Sequence, residues 1–416
     1  MDITFLGGAG EVGRSAFLLK DSVNMLFDCG VKLDGKTEYP MEPGKVDLCL
    51  LSHAHLDHSG SMPSLYNYSL PVAFGTEPSK RLSELLINDA IKLAHRKHEK
   101  PRFFRNQFNT FLNKYIAYPY KERFGFGEYD VELHDAGHIC GSAITSVERN
   151  RDGKRIAYTG DFKLERQTLH DGADIVKADA LIIESTYFEK DHPERKEAVK
   201  KLVDEIKEVV DSNGTALMPV FAVGRSQEVM AVLAENGLAD IAYLDGMARQ
   251  ATDIVLQHRG FLKRPELLED AVRRARGVSF AFEKRQALEG GSIIVTTSGM
   301  LNGGPVLNYL TRLNRSSKIF LTGYQVEGTN GRRLLEGKPL IIDNKKVNIV
   351  TPMSFHDLSA HAGRSDLLRY VKESGPEKVF CVHGERKASE GMAAALREDG
   401  FDAYAPKNGD TIGLGF

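Results

Sequence analysis

The segment His53-Ala54-His55-Leu56-Asp57-His58-Ser59-Gly60 constrains this chain more than any other. It places three imidazoles and a carboxylate within six residues, directly after the apolar run Leu48-Cys49-Leu50-Leu51-Ser52. Such a run reads as a buried strand, which makes the histidine segment a strand-end loop. The spacing is not helical. On that loop His53 and His55 can point one way while Asp57 and His58 turn to a second point, which makes half-sites for two metal ions. Zinc takes neutral imidazole and carboxylate ligands, and its catalytic sites keep a position for water. The plain alternative is a solvated polar loop, a poor use of four ligand-type side chains.

Two metals need more ligands than this loop supplies. His138 stands in Asp135-Ala136-Gly137-His138-Ile139-Cys140-Gly141-Ser142, Asp161 ends the run IAYTGD, Asp28 ends NMLFD, and His383 follows VFCV. Alone, each such residue is more often a turn acid or a capping histidine. Together they are acids and histidines at the carboxyl ends of strands, where open sheets place their chemistry.

The 416 residues, of which 42% are hydrophobic, suffice for two or three domains with large cores. Up to about residue 75 short apolar runs alternate with turns, Glu77–Ala94 has helical spacing, and strands return through ADALIIES. From about Glu189 long helical stretches alternate with apolar strands, which predicts a second α/β unit with a parallel sheet. After about residue 350 the first texture resumes. The second unit therefore reads as an insertion, with expected boundaries of 1–188, 189–350 and 351–416.

The 55 Lys+Arg nearly balance the 57 Asp+Glu, leaving a net charge of -2. The easiest argument for nucleic acid is removed, though a local basic groove is not excluded. Cys29, Cys49, Cys140 and Cys381 contain no Cys-x-x-Cys pair, so a disulfide scaffold is excluded and buried thiols in a reducing cytoplasm are expected. The start MDITFLGGAG lacks signal-peptide features, and no apolar stretch approaches the ~18–20 residues of a membrane span. A soluble cytoplasmic protein without a membrane partner is expected.

Gly8-Ala9-Gly10-Glu11-Val12-Gly13 matches the dinucleotide fingerprint, with Asp28 20 residues past Gly8. That fold needs a crossover helix between the glycines and the acid. Arg14 to Leu26 holds only thirteen residues and a turn signal at Asp21-Ser22, so it reads as two strands. Tight turns at a sheet edge explain the glycines better.

The order Asp28, H-x-H-x-D-H, His138, Asp161 resembles the metallo-β-lactamase superfamily, whose fold is a four-layer αβ/βα sandwich with a two-zinc hydrolase site. Glu184 in Ile182-Ile183-Glu184-Ser185-Thr186-Tyr187, His361 in Leu358-Ser359-Ala360-His361-Ala362-Gly363, and His383 in Val382-His383-Gly384-Glu385 resemble motifs A, B and C of the β-CASP nucleases. The inserted α/β unit is similar to that family's extra domain. Tyr243–Ala248, Thr297–Met300 and Gly323–Thr329 resemble its substrate-cleft segments. A histidine at motif C is the pattern of RNA-acting members. The wording is closest to archaeal and bacterial relatives of the endonuclease subunit of the cleavage and polyadenylation specificity factor. Two departures stand out. No KH-type module precedes the first strand, and the chain stops soon after motif C, where RNase J carries a further domain.

The resemblance implies a zinc-dependent ribonuclease, acting endonucleolytically or from the 5′ end on single-stranded RNA. It assigns His53, His55 and His138 to one zinc, Asp57, His58 and His383 to the other, and Asp161 as a bridge. The implied catalytic set is His361 as general acid, Glu184 holding it, Asp57, and Asp28 orienting a histidine ligand. Arg225, Arg249, Ser185, Ser298, Gly299 and Tyr324 are the expected RNA contacts. Lys92 to Arg105 gathers six Lys/Arg with His95, His98, Phe103 and Phe104, which suits single-stranded RNA and equally a solvated helix end. A homodimer or an RNA-processing complex stays open. So do two other functions, a lactamase- or glyoxalase-type hydrolase of small molecules and an inactive partner subunit.

Overall fold

The computed structural model describes residues 1–34, 36–96 and 98–416, with the side chain of residue 34 left aside. The chain divides into two compact units. One comprises Met1–Arg166, Gly172–Asp191 and His361–Phe416; the other comprises Gln167–Asp171 and His192–Ala360. The short strap Gln167–Asp171 thus joins the inserted unit from within the first unit's sequence. Glu228 anchors this strap by accepting from the backbone N–H groups of Thr168 (2.6 Å) and Leu169 (3.1 Å).

The first unit is built on two seven-stranded sheets. In one, Thr411–Gly413, Asp2–Gly7, Ala16–Lys20 and Asn24–Phe27 run antiparallel, and Leu48–Leu50, Val72–Gly75 and Tyr115–Ala117 continue in parallel. The other joins antiparallel Arg123–Phe126, Tyr129–Asp135, Ala143–Arg149 and Arg155–Tyr158 to parallel Ala180–Glu184, Lys378–Val382 and Asp402–Tyr404. Phe5, Phe17, Phe27 and Leu50 from the first sheet pack with Val131, Val147, Ile182 and Phe380 from the second. Each sheet buries its other face under helices: Leu18, Leu26 and Cys49 meet Ile87, Phe108 and Phe111, while Leu181, Ile183 and Cys381 meet Leu367, Tyr370, Met392 and Leu396. The result is the four-layer αβ/βα sandwich. All four cysteines are buried and free.

The second unit carries a six-stranded sheet in the order Arg276–Val278, Ala242–Asp245, Ser292–Thr296, Thr215–Pro219, Lys318–Leu321, Met353–Phe355. Every pairing in it is parallel, as the alternation of helical and apolar segments predicts. Among the described residues no helix is long and apolar enough to cross a membrane.

Two local expectations meet the structure differently. No helix lies between the glycine cluster and Asp28; the strands Ala16–Lys20 and Asn24–Phe27 fill that interval. The segment after His55, read as non-helical, closes into one helical turn, Leu56–Ser59, through His58 N–H and Ser59 N–H donating to the His55 carbonyl. A single turn is too short for its 3.6 period to be seen in sequence.

Phe17 meets both Phe5 (5.9 Å between centroids) and Tyr158 (5.4 Å) edge-on between the sheets. Phe17→Ala should therefore destabilise the first unit by about 3–5 kcal/mol. Denaturant unfolding checks this, and a loss below ~1 kcal/mol would contradict such close packing.

Candidate metal centre

Six strand ends of the first unit deliver the site. Strands Asn24–Phe27, Leu48–Leu50, Tyr129–Asp135, Arg155–Tyr158, Ala180–Glu184 and Lys378–Val382 lead into Asp28, His53, His138, Asp161, Glu184 and His383. Two of these residues sit in the left-handed region, Asp28 with φ 57° and His383 with φ 45°. A non-glycine residue reaches that region only when its surroundings hold it there.

Three groups of ligand-type atoms converge within 4.8 Å: His53, His55, His138 and Asp161; Asp57, His58, Asp161 and His383; and Asp161, Glu184 and His361. In the first, His55 Nδ1 lies 3.1 Å from His53 Nε2 and 3.2 Å from His138 Nε2. In the second, Asp161 Oδ1 faces His58 Nε2 at 3.3 Å and His383 Nε2 at 3.5 Å. Asp161 belongs to all three groups.

The outer nitrogens of these rings are held from behind. Asp28 accepts from Ser52 N–H (2.7 Å), the Ser52 hydroxyl (2.6 Å), the Tyr158 hydroxyl (2.7 Å) and His58 Nδ1 (2.7 Å). That bond fixes the proton of His58 on Nδ1 and turns the Nε2 lone pair inward. His383 Nδ1 bonds the Ser15 hydroxyl at 2.7 Å, and His383 N–H donates to the Gly8 carbonyl at 2.7 Å. The glycine cluster thus serves His383: Gly8, Gly10 and Gly13 all have positive φ, and their loop receives this strand end. Gly30 is required for a similar reason, since a Cβ there would fall on the Asp57 carbonyl oxygen. Sequence reasoning missed Ser15, Ser52 and Tyr158; a serine beside a ligand histidine was the one local signal, at Ser52.

Electrostatics follow from this crowding. Burial alone would raise the Asp161 carboxyl, but the His383, His58 and His361 imidazoles hold it well below the usual range. Burial pushes His58 down, yet Asp161 and Asp28 carry it well above its ordinary value. His53 is pushed well down, first by burial and then by its neighbour His58, and so favours the neutral form that binds metal. For His361, burial is outweighed by Glu184 and Asp161, which lift it to about 9. The carboxylates at the centre stabilise positive charge placed beside them.

Among the described residues His58 Nε2 and Asp161 Oδ1 are buried without a matched hydrogen-bond partner, although only 3.3 Å separates them. A buried imidazole lone pair and a buried carboxylate oxygen facing each other need a cation between them. The donor set, imidazoles and carboxylates without thiolate, fits a divalent metal.

Beside it, both Glu184 oxygens lie within hydrogen-bond reach of His361 Nδ1, at 3.0 and 3.2 Å, and Glu184 also accepts from Phe162 N–H at 2.8 Å.

Three family models match the chain: "Metallo-beta-lactamase superfamily" over residues 9–209, "Beta-Casp domain" over 226–334, and "Zn-dependent metallo-hydrolase RNA specificity domain" over 347–406. A probable RNase of Methanocaldococcus jannaschii is 37% identical over 99% of this chain and 100% of its own. The chain belongs to the β-CASP branch of the metallo-β-lactamase superfamily. An RNase of Saccharolobus solfataricus, aCSPSF2, is 36% identical over 99% of this chain and 85% of its own. The transcription termination factor FttA of M. jannaschii is 33% identical, covering 99% of this chain and 71% of its own length. A crystal structure from Enterococcus faecalis, of a protein of unknown function, shares the β-CASP chain's fold with a TM-score of 0.64 at 15% identity, covering 99% of each chain.

The expected RNA contacts of this β-CASP protein occupy varied settings. Ser185 is fully buried and its hydroxyl donates to the Val382 carbonyl at 2.8 Å, which ties two strand ends together. Arg225 begins the helix Arg225–Glu235 of the second unit and is half-buried. Arg249, on Met247–Gln257, donates to the Val278 carbonyl at 2.9 Å. The Ser298 hydroxyl donates to the Gly303 carbonyl at 3.1 Å; Gly299 is buried, and Tyr324 is half-buried. In the Lys92–Arg105 segment Phe103 is buried and Phe104 exposed, Arg102 lies over Tyr39 and Arg105 over Phe108. Lys97, counted there in the sequence, is outside the described residues.

Groups that orient ligands from behind typically matter 10–100-fold for metal affinity. Asp28→Asn and Ser15→Ala should each weaken metal retention by about that factor, as read by competition with a chromogenic chelator. Unchanged retention in both would mean that the ring orientations are set elsewhere.

Proposed function

We propose that this chain is a zinc-dependent ribonuclease that hydrolyses phosphodiester bonds of single-stranded RNA in the cytoplasm, leaving 5′-phosphate and 3′-hydroxyl ends. One observation carries the reading: two histidine–carboxylate clusters share Asp161, and a carboxylate-held imidazole, His361, stands beside that shared residue. The RNase names of two relatives support it, as does the match to an RNA specificity domain. A small-molecule hydrolase is disfavoured by the β-CASP insertion. An inactive partner subunit is disfavoured because every expected ligand position holds a histidine or an aspartate.

His53, His55, His138 and Asp161 would hold one zinc, and Asp57, His58, His383 and Asp161 the other. Such a pair supplies charge to offset the phosphate oxygens and activates the attacking water. The chain's own groups do the rest. Asp28 and Ser15 keep the His58 and His383 rings aimed. His361, kept protonated by Glu184, gives its proton to the leaving 3′-oxygen. Arg225, Arg249, Ser298, Gly299 and Tyr324 are the proposed contacts to the RNA backbone, arginine being suited to phosphate.

Protein purified without chelator should approach two zinc ions per chain by elemental analysis. His361→Ala should keep that content while slowing RNA cleavage about 10²–10⁴-fold, the worth of a positioned proton donor. His58→Ala should lose metal and activity together. End-labelled single-stranded RNA gives the rates and separates internal from 5′-end cleavage. Full-speed cleavage by His361→Ala, or zinc loss equal to that of His58→Ala, would remove His361 from the acid role.

Arg225→Ala and Arg249→Ala should weaken RNA binding and flatten its dependence on salt, each removing a phosphate contact and its released counterion. Unchanged affinity and salt slope in both would make these arginines structural.

A further inference from the structure

The second unit exposes an aromatic pair that its fold does not use. Phe280 and Phe282 are 64% and 51% exposed, with ring centroids 6.0 Å apart and planes within 11° of parallel. Single exposed apolar side chains are ordinary, but two neighbouring benzyl rings turned to solvent in parallel form a patch that wants an occupant. Neither ring is needed for the local structure, because the helix Ala281–Gln286 is begun by Glu283. That carboxylate accepts from the backbone N–H groups of Ser279 (2.5 Å) and Phe280 (2.8 Å). The same bonds hold the turn that carries the rings, and Arg249 braces it by donating to the Val278 carbonyl and the Ser279 hydroxyl.

Charge around the pair selects the occupant. Between residues 273 and 286 the chain carries five Lys/Arg and one acid. Arg273 and Arg274 are neutralised by Asp270 and Asp240, and Lys284 pairs with Asp245 at 3.4 Å. Arg249, Arg276 and Arg285 form no ion pair with an acid among the described residues; Arg276 donates instead to the Tyr243 hydroxyl at 2.7 Å. A partner surface without acids would leave these cations uncompensated, and a purely apolar ligand would gain nothing from them. A flexible polyanion with flat π-faces satisfies both the rings and the charges, which is the chemistry of single-stranded nucleic acid.

We infer that Phe280 and Phe282 form a base-stacking subsite for single-stranded RNA, with Arg249, Arg276 and Arg285 attending the flanking phosphates. This subsite rests on the ribonuclease reading and adds to it a contact with bases rather than backbone. Stacking on a ring is indifferent to base identity, so the subsite would strengthen binding without imposing a sequence.

The test is binding of a short fluorescent RNA to zinc-loaded protein, in a His361→Ala background so that the RNA survives. Phe280→Ala with Phe282→Ala should weaken binding about 10–100-fold, the effect of losing one or two stacked bases. The salt slope should stay unchanged, because no cation is removed. The melting temperature should hold, because both rings are exposed. Phe280→Tyr with Phe282→Tyr should keep the affinity, and the leucine pair should not. An RNA of equal length bearing abasic sites should bind the parent as weakly as the intact RNA binds the alanine pair. Undiminished binding by the alanine pair, or equal rescue by leucine and tyrosine, overturns the subsite alone. If protein with His361 intact hydrolyses an activated aryl phosphodiester but neither binds nor cuts RNA, the ribonuclease reading falls and the subsite with it. Self-association lost in the alanine pair, with RNA affinity intact, would mark the patch as a contact between copies and overturn the proposal.

Discussion

A carboxylate taken out of water costs several kcal/mol unless positive charge is brought against it, and Asp161 is such a carboxylate, 2% exposed at the end of a strand. Around it the first unit gathers His53, His58, His138, His361 and His383 within 4.0 Å of its oxygens. His53 and His58 follow one strand of the first sheet while His138 and His383 follow strands of the second, so the two sheets must be registered closely enough for their carboxyl ends to meet at one carboxylate. The phenylalanine-rich layer between the sheets supplies that register, and Tyr158 links it to the site by packing on Phe17 and Phe27 while its hydroxyl donates to Asp28.

The arrangement divides labour between rings. His58 and His383 are each gripped at Nδ1, by Asp28 and Ser15, so that Nε2 faces the centre. His361 Nδ1 is gripped by Glu184 and lies 3.9 Å from Asp161. Similar grips leave the two rings differently placed toward Asp161, His58 through Nε2 and His361 through Nδ1. His58 Nε2 looks straight at an oxygen of Asp161, a setting for a cation, whereas half-buried His361 is lifted to about 9 by Glu184 and Asp161.

The second unit contributes a different kind of surface. Its parallel sheet and core resemble those of any α/β layer, and its distinctive groups lie on turns and helix starts: Arg225, Arg249, and the Phe280–Phe282 turn at the sheet's edge. Loops on a rigid scaffold are where recognition usually resides.

Much of this was readable in the sequence, for a physical reason. Ligand spacing such as H-x-H-x-D-H is local, and strands that end in an acid or histidine carry their meaning in a few consecutive residues. The parallel sheet of the insertion announced itself by alternating periodicities. The long-range part was not readable. Ser15 bonds His383 from 368 positions away and Tyr158 bonds Asp28 from 130, and nothing near either residue marks the pairing. Ser185 sits next to motif A and looked like a phosphate contact, but its strand lies beside Lys378–Val382, which buries its hydroxyl. Phe280 and Phe282 lie in solvent because the turn that carries them follows the edge strand of its sheet. Composition and spacing determined which chemical groups this protein possesses and that they stand at strand ends. Which groups face one another was decided by strand order and sheet packing, because hydrogen bonds and burial depend on neighbours in space that the chain reaches only after folding.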